Sequence, residues 1–257
     1  MLINGCPVWA TIIVAILAGL AAGLVTGLLH TLLGIPDILA GILTQIALYS
    51  INLNIMGKSN LPISYRNYTL VVSASNINMA ILVGLGICAV VIAAMYWYFG
   101  TEQGSTIRST GSNPAMSKAQ GININFTKVI ALALSNGLVA LSGSLFAQYQ
   151  GFADINMGRG AIVIGLAAVI IGEVLGEAIF RKHMNFIIRM LSVIVGGILY
   201  YIAMGIVLWL KMPTDDTKLF TAIIVAIFLA VPYLQKKRKT SFKKVAKMNA
   251  KNAQMEG

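Results

Sequence analysis

Long apolar runs, hydrophobic all the way round rather than on one stripe, dominate this chain. They lie near residues 8–29, 38–56, 78–99, 126–150, 159–180, 186–210 and 217–235. Each approaches the ~20 residues a helix needs to cross a bilayer. Backbone polar groups find no water inside a membrane, so runs of this kind are expected to be helical. The predicted fold is all-α: a polytopic transmembrane helical bundle of about seven spans. The fifth run, "GRGAIVIGLAAVIIGEVLGEAI", is punctuated by glycines and carries Glu173 and Glu177. It predicts a shortened or bent helix rather than a plain span.

Composition supports the pattern and excludes a soluble domain. The 257 residues are 58% hydrophobic and only 11% charged, against about 25% charged in soluble proteins. A net charge of +11 invites a nucleic-acid reading, but eight of the 19 Lys and Arg fall in residues 236–257. Basic residues beside a final span set topology and touch anionic lipid, so the expected partner is the lipid bilayer and not nucleic acid. The chain therefore divides into a membrane domain, 1–235, and a basic cytoplasmic tail, 236–257. With the tail inside, alternation places 14 of the 19 basic residues on the cytoplasmic side. The N-terminus is then outside. Spans one to three and four to six run in opposite senses, which is compatible with an inverted repeat. At residue level, "IPDILAGILT" and "ADINMGRGAIV" share only a loose pattern.

Small and polar residues indicate how the spans meet. Gly19, Gly23 and Gly27 recur every four residues on one face of the first span, a spacing that lets two helix backbones approach closely. The fourth span carries Ser135, Asn136, Ser142, Ser144, Gln148 and Gln150. Polar side chains of this density face other helices or a wet cavity, which makes Asn136 and Gln148 candidates for a translocation pathway. Glu173 and Glu177 share a helix face and join that list, because ionisable groups in a span are costly. The competing expectation is an interfacial carboxylate pair facing Arg181 and Lys182. Asp154 and Arg159 fall in an outer loop.

Enzyme chemistry has nothing to rest on. No phosphate-binding loop, nucleophile elbow or zinc-protease motif occurs. The two cysteines, Cys6 and Cys88, and the two histidines, His30 and His183, form no metal-ligand spacing. The chain is expected to be no enzyme and to hold no cofactor.

One segment interrupts the apolar pattern. In "RSTGSNPAMSKAQGI", Ser112 or Asn113 can cap a helix, Pro114 suits its first position, and Gly121 suits its left-handed end. The spacing predicts one short cytoplasmic helix over about residues 114–120, far too short to span. Read by spacing, it is either an ordinary loop helix or a rigid knob on which a soluble partner could push.

The same segment resembles the coupling cassette of ABC importer permeases of the branched-chain amino acid and ribose type. Arg108, Gly111, Asn113, Gly121 and Ile122 carry the likeness, with Ser109 where alanine is usual. "ALALSNGLVALSGSLFAQYQGFADINMGRGAIVIGLAAVIIGE" is similar to the uncharacterised and tryptophan-type permeases, and "ILAGILTQIALYSINLNIMG" extends the likeness over the whole chain. The resemblance implies that residues 104–125, with Arg108, Gly111, Asn113, Pro114, Ala115, Lys118, Gly121 and Ile122, engage an ATPase subunit that binds ATP. It implies an external substrate-binding lipoprotein meeting Asp154 and Arg159, a homodimer, and a small solute such as an amino acid, aromatic ones included. Family members carry further N-terminal spans, so this chain is expected to begin near the end of their second. An ion-coupled secondary transporter and a non-transporting membrane scaffold are the alternatives.

Overall fold

The computed structural model describes residues 5–63, 70–158, 161–180 and 185–209, with a few positions between 219 and 230. Most of the seventh apolar run and the whole 236–257 tail lie outside the described residues. The chain divides into two compact units, Met1–Gly158 and Arg159–Gly257.

The first unit contains α1 (Val8–Leu33), α2 (Asp37–Met56), strand β1 (Asn60–Pro62), α3 (Ile77–Gly100), α4 (Glu102–Ser112), α5 (Pro114–Ala119), α6 (Ile124–Gln150) and strand β2 (Phe152–Asp154). The second contains α7 (Ala161–Phe180) and α8 (Phe186–Trp209). Among the described residues, α1, α2, α3, α6 and α8 are long and apolar enough to cross a membrane. At about 1.5 Å per residue, the 26 residues of α1 exceed the ~30 Å hydrocarbon thickness.

Local chemistry decides where these helices stop. The apolar runs have no internal stop signal, and glycine supplies it. Gly34, Gly57 and Gly151 end α1, α2 and α6 at φ 67°, 67° and 74°, a left-handed conformation that costs glycine no Cβ clash. Pro36 then starts α2 after a three-residue reversal, with Asp37 in the first turn, where a carboxylate favours the positive helix end.

Packing in the first unit centres on α1 and α6, which run antiparallel along a glycine seam. A Cβ added at Gly19 would lie 2.5 Å from Ala140 Cβ, one at Gly23 2.6 Å from Ala133 Cα, and one at Gly27 2.8 Å from Val129 Cα. No side chain fits those gaps, so the two backbones are in direct contact. On the same turn of α1, Thr26 Oγ1 lies 2.9 Å from Thr44 Oγ1 of α2, and both hydroxyls are buried. In the second unit Gly172 of α7 meets the backbone of Ser192, and Gly196 of α8 meets Ala168 and Gly172. Ala167, Ile171 and Tyr200 form the buried cluster beside that crossing.

The outer faces are apolar. Trp9, Leu32, Ile38, Ile55 and Trp97 are each more than two-thirds exposed. That surface suits acyl chains, not water.

The two ends of the first unit differ. At one end β1 and β2 pair antiparallel, Asn60 opposite Asp154 and Pro62 opposite Phe152. This ladder ties the exit of α2 to the exit of α6, a detail absent from the all-helical expectation. At the other end lie the α1–α2 reversal and the pair α4–α5.

Candidate functional site

The polar segment forms two short helices, where the spacing predicted one. The extra element, α4, has the sequence EQGSTIRSTGS, poor in strong helix formers. Its contacts hold it. Thr101 caps it by accepting from the Gly104 N–H at 3.4 Å while donating to Tyr98 O at 2.6 Å. A Cβ at Gly104 would collide with the Tyr98 carbonyl and Phe99 Cα, so glycine lets α4 fold back against the end of α3.

Asn113 ends one helix and starts the next. Its backbone N–H donates to Ser109 O at 2.9 Å, and its side-chain Oδ1 accepts from Met116 N–H at 3.1 Å. Pro114 occupies the first position of α5, where a missing N–H is harmless. The helix closes with paired bonds from Gly121 N–H to Lys118 O, 3.0 Å, and from Ile122 N–H to Ser117 O, 3.1 Å, with Gly121 at φ 82°. This is the Schellman arrangement. Asn123 then caps α6 by accepting from Phe126 N–H at 3.1 Å.

The result is a rigid backbone with exposed side chains. Ser117 is buried, while Arg108, Gly111, Asn113, Pro114, Ala115, Lys118 and Gly121 are exposed and Ile122 is half-buried. Nothing lies within 4 Å of where a Cβ at Gly111 would stand. That glycine is in a helix, at an open surface, with no internal contact requiring it.

The other singled-out residues are dispersed. Asn136 lies in the α1–α6 seam, its amide donating back to Leu132 O at 2.9 Å. Gln148, buried, stands three turns away and accepts from Val71 N–H at 3.1 Å. Its side chain fastens the segment after β1 to α6. Of the polar residues singled out on α6, Ser135, Ser142 and Gln150 are instead exposed, as is Asn125 in its first turn.

Asp154 belongs to β2, where Oδ1 accepts from Asn156 N–H at 2.6 Å and Asn60 Nδ2 approaches Oδ2 at 3.5 Å. Arg159 lies outside the described residues, as do Arg181 and Lys182. Glu173 of α7 faces Arg189 of α8 at 3.6 Å, both partly exposed, and Glu177 is exposed. Glu173 thus has a described partner that differs from the two bases next in sequence.

Sequence reasoning missed Gly104, Gly172, Gly196 and the contacts of His30. Glycine spacing alone could not separate Gly104 or Gly172 from the many glycines of a membrane helix. His30 carried no motif.

The profile of the family described as branched-chain amino acid transport system / permease component matches residues 1–232. A tyrosine transport system permease protein of Clostridioides difficile is 43% identical over 252 residues, 97% of this chain and 82% of that protein. An uncharacterised protein of Rickettsia prowazekii is 30% identical over 222 residues, 85% of this chain and 77% of the relative. A nucleoside ABC transporter permease of Lactococcus lactis is 30% identical over 154 residues, 56% of this chain and 45% of that protein. No solved structure matches the chain.

Proposed function

Because the chain belongs to the branched-chain amino acid transport permease family of ABC importers, we propose that it is the subunit through which ATP hydrolysis elsewhere moves an aromatic amino acid across the bilayer. It is a multi-pass protein of the bacterial plasma membrane and belongs to a transport family, not an enzyme family. Such permeases work in general with an ATPase subunit and a substrate-binding protein. Here nucleotide binds the separate ATPase and not this chain. The permease acts as a homodimer, and a lipoprotein delivers the solute to the end carrying β1, β2 and Asp154, with Arg159 assigned to the same contact on sequence alone.

The observation that carries the coupling reading is the α4–α5 pair. A segment that transmits force needs a stiff backbone and a free outer surface. Asn113 and the Gly121 closure stiffen the six-residue helix between them, while every side chain of that stretch except the buried Ser117 is exposed. Gly111, unneeded by any internal contact, suits close approach by a partner backbone.

The substrate reading rests on the tyrosine transport relative. Within the pathway reading, Asn136 and Gln148 hold the wall in place. Ser135, Ser142 and Gln150 are the exposed polar groups singled out on α6 that are left to meet a solute. Glu173 and Glu177 are proposed as further pathway residues, because ionisable groups in an apolar helix are costly.

The test is uptake of labelled tyrosine into vesicles holding the chain with an ATPase subunit and a substrate-binding protein. Uptake should require ATP and persist when ion gradients are collapsed. Gly121→Val should abolish it while leaving the chain folded. Uptake that follows an ion gradient without ATP overturns the reading in favour of a secondary transporter.

A further inference from the structure

The reversal between α1 and α2 is tied to the first turn of α6 by three side chains. His30, in the last turn of α1, is largely buried, with 16% of its side chain exposed. Its Nδ1 lies 2.7 Å from Asp37 Oδ1 and 2.8 Å from the Ile35 carbonyl oxygen. Its Nε2 lies 2.9 Å from Lys128 Nζ.

Donor and acceptor roles follow from chemistry. A carboxylate and a carbonyl only accept, and an ammonium only donates. Both acceptors sit on Nδ1, so that nitrogen carries the hydrogen. The ammonium sits on Nε2, so that nitrogen offers its lone pair. A neutral imidazole with its hydrogen on Nδ1, shared between the two acceptors, is compatible with all three contacts; the other neutral tautomer is compatible with none. His30 is therefore a directional bridge from Lys128 to Asp37.

Its position gives the bridge meaning. Lys128 is the fifth residue of α6, and four residues separate the end of α5 from the start of α6. The next residue, Val129, packs on Gly27. A displacement of α5 thus reaches the base of α6, and the bridge passes it to the one place where α1 and α2 are not helical, Gly34 to Pro36.

We infer that Lys128, His30 and Asp37 are positioning residues that transmit movement of α4–α5 to the α1–α2 reversal. The inference rests on the coupling reading above and names the route the movement takes. The hydrogen bonds and ion pair described for the three join them to one another and to Ile35, so the route is separable from docking at residues 111–118.

Two measurements test it. In the full chain labelled with ¹⁵N-histidine and held in phosphatidylethanolamine–phosphatidylglycerol vesicles, the His30 signals, assigned by their loss in His30→Gln, should show Nδ1 protonated and Nε2 accepting. Lys128→Met should shift the Nε2 signal, and Lys128→Arg should restore it. In vesicles with an ATPase subunit and a substrate-binding protein, tyrosine taken up per ATP hydrolysed should fall about tenfold in Lys128→Met, the size of an ordinary coupling free energy. ATPase binding should be unchanged, and Lys128→Arg should recover the ratio.

An Nε2-protonated tautomer, or a normal ratio in Lys128→Met, overturns the bridge. Loss of ATPase binding in Lys128→Met also overturns it, because Lys128 would then belong to docking. If Gly121→Val lowers the ratio and Lys128→Met does not, the bridge fails and the coupling reading stands. If neither lowers it, the coupling reading has failed first.

Discussion

The α1–α6 seam and the α4–α5 pair both depend on glycine and, Gly104 at the start of α4 apart, for opposite reasons. In the seam, Gly19, Gly23 and Gly27 are helical and lack room: a neighbouring backbone occupies the space a Cβ would need. In the pair, Gly121 has room but an unusual conformation, φ 82°, and Gly111 has ordinary helical geometry and open space. A glycine enforced from inside is a packing residue. One with no inside reason is a candidate for contact from outside. Motif matching sees the same letter in both places; only the surroundings separate the roles.

This contrast can be broken by substitution. The largest effect is expected for Gly23→Leu, which forces α1 off α6. Overpacking against backbone should cost about 3 kcal/mol, read as a lowered unfolding midpoint in detergent, and a wild-type midpoint would mean the seam is looser than drawn. Next, Gly121→Val places a β-branched residue at positive φ and should cost about 1–2 kcal/mol. Its signature is lost uptake with little change in the global midpoint, because α5 lies at the surface. Asn113→Ala removes one cap and should cost about 1 kcal/mol, with Asn113→Asp retaining function.

Gly111→Ala sharpens the comparison most, though its effect is smaller. Alanine in an exposed helix position should stabilise the fold by about 0.5–1 kcal/mol, yet uptake should fall if a partner approaches that spot. Stability and transport moving together there would remove the outside-contact reading. Smallest of all, Glu173→Gln should change stability by less than about 0.5 kcal/mol, since a 3.6 Å pair with partly exposed partners contributes little. A larger loss would show that α7 and α8 depend on charge as well as on Gly172 and Gly196.

How much could be read beforehand depended on range. Pro114 and Gly121 were legible because caps act through neighbouring backbone groups within a few residues. The helix α4 was not, because its Gly-, Ser- and Thr-rich sequence argues against helix and a contact with Tyr98 and Phe99 overrides it. Gln148 read as a polar group in a span, hence a pathway candidate; that its carbonyl holds the Val71 N–H, 77 positions earlier, is not a local property. His30 similarly looked like an isolated histidine until Lys128, 98 residues away, was placed beside it.

The sequence by itself determined that the chain is helical and lives in a bilayer, since runs of ~20 apolar residues admit no other solution in a medium without water. It also determined where the short polar helix starts and stops, because capping is local. Only the tertiary structure decided which face of α1 meets which helix, which glycines are indispensable, and which polar groups are already taken. Those outcomes depend on distances between residues far apart in the chain. All-round apolar helices carry no stripe to announce their neighbours.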